Sequence, residues 1–178
     1  MNSKKTIILG VTGSVAAYKA PEIVRRFVKI GVQVHPVLTE AAANFVGPRA
    51  LEAVSCIEIP SHINKSAPGY FRYLELAKNA DLILIAPATA DFIAHIAHGF
   101  ASDLLETIVL ARACPLVIAP AMNERMWLNE MTQGNVAKLR EQGAHLIDPG
   151  KGVLACGEEG IGRLANLPQI VKTCQNLL

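Results

Sequence analysis

Along the chain, short runs of aliphatic and β-branched residues alternate with stretches in which apolar side chains recur every three or four positions. Runs of the first kind predict buried strands, and stretches of the second kind predict helices with one apolar face. Thr6–Gly10 is the first strand, and 15–30 follows with helical spacing. There Ala16, Ile23, Phe27 and Ile30 share a face while Arg25, Arg26 and Lys29 lie elsewhere, and Gly31 stops the helix. Val32–Leu38 reads as the second strand, then Glu40–Phe45 and Pro48–Ser55 as short helices. Pro48 suits a first helical turn, where its missing N–H costs nothing. The stretch 58–69 holds two prolines and is expected to be a mobile loop. Asp81–Ala86 is a strongly apolar strand, followed by helices over 91–97 and 104–112. Pro115–Ala119 is a further strand, 132–142 a helix, Ala144–Asp148 a late strand and Leu167–Leu178 a closing helix. Strands separated by helices of this length imply right-handed parallel crossovers. The expected fold is therefore α/β: a three-layer, doubly wound, Rossmann-like (flavodoxin-like) parallel sheet in a single domain spanning 1–178.

Composition sharpens that picture. Of the 178 residues 51% are hydrophobic but only 5% aromatic, so the core is drawn from Ala, Val, Ile and Leu. That is the material of a parallel sheet covered on both faces. The formal charge is +2, and no run of Lys or Arg exceeds the pairs Lys4-Lys5 and Arg25-Arg26, so no nucleic-acid partner is expected. The apolar runs are strand-sized, which argues against a membrane span, and the opening Met-Asn-Ser-Lys-Lys leads into a strand rather than a signal sequence. Cys56, Cys114, Cys156 and Cys174 are widely spaced with no Cys-x-x-Cys pair, which points away from a disulfide framework or structural zinc and towards a reducing cytoplasm. His95 and His98, three apart, read as ordinary helix residues, and no metal is expected.

In a sheet of this kind the ligand lies beyond the carboxyl ends of the strands, so the loops there carry the candidate chemistry. The first, Gly10-Val11-Thr12-Gly13-Ser14-Val15, sets two glycines and two small hydroxyls between a strand and a helix. Such a loop lets backbone amides approach a phosphate; the plain alternative is a tight turn with a hydroxyl cap. The third glycine of a dinucleotide fingerprint is absent, and Thr39 offers a hydroxyl where a ribose-binding carboxylate would stand, so a mononucleotide is favoured over NAD. The second loop, Ala86-Pro87-Ala88-Thr89-Ala90-Asp91, makes a flat ledge for a planar ring, although Thr89 or Asp91 alone is merely a helix cap. The third, Ala119-Pro120-Ala121-Met122-Asn123-Glu124-Arg125-Met126-Trp127, combines apolar walls with one amide; core packing accounts for Met126 and Trp127 but not for Asn123. The fourth, 152–164, places four glycines around Cys156 and Arg163. It is poor helix or strand material and reads as a flexible flap over a ligand, or else as a surface loop with an inert cysteine.

In this order and spacing, the four segments resemble the homo-oligomeric flavin-containing cysteine decarboxylases. The resemblance spans Lys5 to about Val171 and rests on Pro-Ala-Met-Asn-Glu-Arg-Met-Trp at 120–127, on the 86–91 stretch and on Ala-Cys-Gly-x-x-Gly-x-Gly-Arg at 155–163. The last is similar to the substrate clamp of the branch serving coenzyme A biosynthesis. The resemblance implies FMN as cofactor, with Gly13, Ser14, Val15 and Thr39 holding its phosphate and ribityl chain and Ala88, Thr89 and Ser102 contacting the flavin. It implies that Asn123 binds the substrate carboxylate beside Met122, Ala155 and Arg163, and that Cys156 supplies a proton. The implied chemistry is oxidation of a cysteinyl thiol, most naturally 4′-phosphopantothenoylcysteine, to a thioaldehyde that loses carbon dioxide; the resulting enethiol is then reduced. A homotrimer or homododecamer is implied too.

One position departs from the family. The stretch 72–81 matches a segment that in active relatives begins with a catalytic histidine, and here Tyr73 occupies that place. A phenol with an ordinary pKa of about 10 is a poor base near neutral pH. A catalytically silent FMN-binding paralogue is therefore the alternative reading, with a flavin reductase or prenyl-transferring relative a third. Many relatives carry a fused synthetase domain, whereas this sequence ends at Leu178, which reads as a stand-alone decarboxylase or a paralogue with another task.

Overall fold

The computed structural model describes residues 4–59 and 75–178. Five parallel strands, β1 (Thr6–Val11), β2 (Gln33–Leu38), β3 (Leu82–Ala88), β4 (Leu116–Pro120) and β5 (His145–Leu146), form one sheet in the order β2-β1-β3-β4-β5. This is the expected flavodoxin-like order. The chain winds one way from β1 to β2 and then the other way to β3, so the two strands at the reversal, β1 and β3, diverge at their carboxyl ends and leave a crevice. A separate antiparallel hairpin, β6 (Gly150–Val153) and β7 (Glu159–Arg163), follows the sheet.

Each central strand is apolar along its whole length because both faces are covered. On one face Ile7, Leu9, Leu84 and Val117 pack against α1 (Ala20–Lys29), α2 (Pro48–Ser55) and the closing helix, here α7 (Leu167–Gln175), through Phe27, Leu51 and Ile170. On the other face Ile8, Ile83, Ile85 and Ile118 meet α3 (Ala90–Ala97), α4 (Leu104–Leu110) and α6 (Glu130–Glu141) through Ile93, Leu105 and Val136. Gly10 belongs to that packing: a Cβ on it would lie 2.5 Å from Ile85 Cδ1 and 2.7 Å from Leu105 Cδ1. No helix among the described residues is long and apolar enough to cross a membrane.

Several elements differ from the sequence expectation for visible reasons. The segment 15–30 divides into a 3-10 turn (Val15–Lys19) and α1, since Pro21 opens a new first turn. The segment read as an irregular loop after β4 contains α5 (Glu124–Leu128), because the Asn123 side chain caps it by accepting the Arg125 N–H. Asn129 caps α6 in the same way and starts it at Glu130, two residues earlier than expected. The late strand shrinks to His145–Leu146. The glycine-rich stretch forms the β6–β7 hairpin, not an irregular flap: Gly152 (φ 150°) and Gly162 (φ 152°) adopt conformations that side-chain-bearing residues rarely enter. Apart from its first two residues, the loop expected at 58–69 lies outside the described residues, and so does Tyr73.

Candidate functional site

The carboxyl ends of β1, β3 and β4 are stitched together. Pro87 has no N–H, and the β3–β4 register shifts between Ile85 and Ala88. The Pro87 carbonyl instead accepts from Thr12, through Oγ1 at 2.8 Å and the backbone N–H at 3.3 Å. The same Thr12 hydroxyl oxygen accepts the Thr89 N–H at 3.0 Å, and Thr12 is buried. Ser14 Oγ caps the 3-10 turn by accepting the Ala16 N–H and donates to the Ala121 carbonyl at 3.4 Å. Ala121 in turn donates its N–H to the Ala88 carbonyl at 3.0 Å. On the other side of the loop, Gly13 lets the turn after β2 come close, since a Cβ there would lie 2.5 Å from that of Ala41.

The hairpin is laid against the end of β4. Met122 N–H donates to the Gly162 carbonyl at 3.0 Å, and Ile161 N–H donates to Glu124 Oε1 at 2.8 Å. Between the stitched ends and the hairpin opens a cavity of about 460 Å³. One side is lined by Ser14, Val15, Tyr18 and Lys19, and the other by Met122, Asn123, Ala155, Cys156 and Arg163. Lys19 and Arg163 are cations, and among the described residues no carboxylate lines it.

Inside it the Asn123 amide nitrogen stands 3.8 Å from Cys156 Sγ, and that thiol lies 3.9 Å from Glu158 Oε2. The cap settles which way the Asn123 amide faces. Its oxygen is spent on the Arg125 N–H at 2.8 Å, so the NH₂ group is the end presented to the thiol. Cys156 is exposed, whereas Cys174 is buried and its thiol is pushed up to about 12 by that burial.

Comparison with known proteins settles the kinship. The model of the family described as Flavoprotein matches residues 1–178. The chain belongs to the flavoprotein family. It is 41% identical over 177 residues to a probable phosphopantothenoylcysteine decarboxylase of Streptococcus mutans, covering 98% of this chain and 99% of that one. It is 43% identical over 172 residues to the coenzyme A biosynthesis bifunctional protein CoaBC of Vibrio parahaemolyticus, covering 96% of this chain but only 43% of that protein's length. Among solved structures, a phosphopantothenoylcysteine decarboxylase variant complexed with pantothenoylaminoethenethiol superposes with a TM-score of 0.86 at 31% identity, over 97% of each chain. The FMN-dependent cysteine decarboxylase SpaF gives a TM-score of 0.79 at 34% identity, over 96% of this chain and 95% of that one.

As a flavoprotein, the chain has to hold a flavin, and the largely apolar cavity beside the Ser14 loop fits its ring system. Among the described residues the cavity walls are mostly apolar and the charged groups lining it are Lys19 and Arg163. Of the residues expected from sequence, Ser14, Val15, Met122, Asn123, Ala155, Cys156 and Arg163 come together around this one space. Gly13 adjoins it. Thr39, Ala88, Thr89 and Ser102 do not line it. Ala88 is wholly buried in β3, and Thr89 Oγ1 accepts the Phe92 N–H as the cap of α3. Thr39 Oγ1 accepts the Ala42 N–H, and Ser102 sits in an exposed loop with its N–H given to Glu106 Oε2. Sequence reading passed over Lys19, which had only its helical position to mark it, and Glu124, which reads as an ordinary first-turn acid; it counted Thr12 among the small hydroxyls of the first loop but not the bonds by which that hydroxyl joins β1 to β3.

Behind the Ser102 loop, Glu106 is buried and takes His95 Nδ1 on Oε1 at 2.5 Å, with the Phe100 ring stacked 5.1 Å from the imidazole. The Glu106 hydrogen bond raises the His95 pKa above its ordinary value against the opposing pull of desolvation, with Asp91 adding to the rise. Burial alone would push the Glu106 carboxyl up, but His95 and the Ser102 N–H outweigh it and the carboxyl is held below its usual range.

Proposed function

We propose that this flavoprotein is an FMN-dependent decarboxylase converting 4′-phosphopantothenoylcysteine to 4′-phosphopantetheine and carbon dioxide. The observation that carries the reading is the Asn123 amide beside the Cys156 thiol in a cavity whose charged lining groups are Lys19 and Arg163. FMN, when bound, would supply the oxidation of the thiol end of the substrate and its later reduction. The rest of the work falls to the chain. Asn123, its amide turned by the cap, donates to the substrate carboxylate until that group leaves, and so orients it. Cys156, three residues from the hairpin turn's end at Glu159, delivers a proton to the carbon that has lost carbon dioxide. Met122 and Ala155 shape the apolar wall, while Arg163 and Lys19 attract the anionic end of the substrate. Gly13, Ser14, Val15 and Thr39 serve the flavin phosphate and ribityl chain, and Ala88, Thr89 and Ser102 its ring.

A second copy of the chain would complete the site, in a homotrimer or homododecamer. Of the seven flavin residues only Ser14 and Val15 line the single-chain cavity, and its rim exposes Val15, Tyr18 and Val153, the last two each at 64%. The enzyme would act on a small cysteinyl thiol in the cytoplasm, without nucleic acid, membrane or metal.

Tyr73 favours one other reading, a silent FMN-binding paralogue acting through protein partners. An anaerobic incubation of the yellow protein with 4′-phosphopantothenoylcysteine, followed by mass spectrometry, separates the two. A product lighter by one carbon dioxide is expected. Unchanged substrate with the flavin absorbance intact would favour the silent paralogue, and Tyr73→His would then test whether the pocket is otherwise competent.

A further inference from the structure

Residues 161 and 162 of β7 are pinned to the two residues that flank Asn123. Gly162 offers its carbonyl to Met122 N–H at 3.0 Å, and Ile161 gives its N–H to Glu124 Oε1 at 2.8 Å, across 37 positions of sequence. Both neighbours of Ile161 are glycines, and each is needed for closeness. A Cβ on Gly160 would fall 2.8 Å from both Glu124 carboxylate oxygens, so the carboxylate fills the space that the missing side chain leaves. A Cβ on Gly162 would fall 2.1 Å from the Met122 carbonyl oxygen. The turn that carries Cys156 is then closed by Leu154 N–H to the Glu158 carbonyl at 2.8 Å and Gly157 N–H to the Leu154 carbonyl at 2.9 Å.

We infer that Glu124 is a positioning residue: by holding the Ile161 N–H it sets the hairpin at the height where the Cys156 thiol meets the Asn123 amide. A two-stranded hairpin outside the main sheet has little stability of its own, so its placement depends on such bonds. A carboxylate is the strongest acceptor a side chain can offer a backbone N–H. Because Glu124 immediately follows Asn123, one short segment places both the amide and the support of the thiol-bearing hairpin. The catalytic consequence rests on the decarboxylase reading above; the positioning itself does not.

The test uses the full-length, flavin-loaded protein and three readouts: hydrogen exchange at the Ile161 amide, alkylation of Cys156 by iodoacetamide, and kcat. In Glu124→Ala, Ile161 exchange and Cys156 alkylation should each rise roughly tenfold, and kcat should fall by a similar factor. Glu124→Gln keeps an acceptor oxygen and should restore most of all three. Ile161 exchange and Cys156 alkylation at wild-type rates in Glu124→Ala would overturn the inference. If the wild-type protein releases no carbon dioxide, the decarboxylase reading fails, while exchange and alkylation still decide the role of Glu124. Should Glu124→Ala not fold, Gly160→Ala probes the same contact from the hairpin side. A methyl group in the carboxylate's space should give the same two increases, and unchanged rates there would equally overturn it.

Discussion

One wall of the cavity is continuous with the core and the other is applied to it. On the first, Thr12 is buried and bonded twice to Pro87 and once to Thr89, and Ser14 reaches the Ala121 carbonyl. On the second, the β6–β7 hairpin meets the segment 122–124 through two N–H···O bonds and the Asn123 amide–Cys156 thiol contact, and Cys156 at its turn is exposed. Motion of the first wall requires the sheet to open, whereas motion of the second requires only the contacts with 122–124 and the packing of Ile161 on the core to give way. Local opening free energies therefore differ sharply between them.

Truncating the sheet should weaken the first wall without freeing the second. Leu84 is wholly buried in β3, and Leu84→Ala should cost about 2–5 kcal/mol. For a chain of this size that lowers Tm by roughly 5–15 °C. Calorimetry should show a single, lowered transition, while native-state alkylation of the exposed Cys156 stays near the wild-type rate. Accelerated alkylation well below that transition would mean the hairpin shares more of the core than its contacts indicate.

Thr12→Val tests the first wall alone. Valine keeps the shape but leaves the Thr89 N–H without its acceptor, while Pro87 retains the backbone N–H of residue 12. The expected loss is about 1–3 kcal/mol of global stability, read by denaturant melts. Cys156 alkylation in the native state should stay at the wild-type rate, since no hairpin bond is touched.

Gly162→Ala is the counterpart on the second wall. The new methyl meets the Met122 carbonyl, and φ 152° strains any residue with a Cβ. Relief comes by lifting the hairpin, so global stability should fall by only about 1 kcal/mol. Native-state alkylation of Cys156 should rise markedly while buried Cys174 stays unmodified. A large fall in Tm with unchanged Cys156 reactivity would make the hairpin part of the core.

The same contrast explains what could be read from sequence. Strands β1, β3 and β4 were legible because burial on both faces writes continuous aliphatic runs such as Leu82–Ile85. The residues around Asn123 and Cys156 were legible through resemblance, and the structure brings seven of the expected site residues to one cavity. Long-range polar bonds leave no such trace. Nothing in the local pattern ties Thr12 to Pro87 or Glu124 to Ile161, since the pairing depends on how distant segments meet. Helix α5 was missed because a side-chain cap, not periodicity, starts it. The glycines at 160 and 162 suggested flexibility but serve close packing, a distinction visible only once Glu124 and Met122 are seen against them.

The smallest expected effect concerns the loop behind Ser102, which belongs to neither wall and is held by a titrating pair. Protonated His95 is bonded to Glu106, which also takes the Ser102 N–H. Because the folded His95 pKa is raised, its contribution is fully present below the ordinary histidine value of about 6.5 and is lost as pH climbs through the folded one. The Glu106 carboxyl is lowered, so its contribution is present above about pH 4.3 and fades only as pH falls through its folded value. Asp103, which caps α4 through the Glu106 N–H, is raised by burial and complicates the acid side. Measurements from about pH 5.5 to about pH 8.5 therefore isolate the imidazole. The His95 side chain is 37% exposed, so solvent screening limits the pair to no more than about 1 kcal/mol. His95→Gln should lower Tm most at the acid end of that range, with the deficit shrinking towards the alkaline end. A deficit independent of pH would assign His95 to packing against Phe100 instead of to charge.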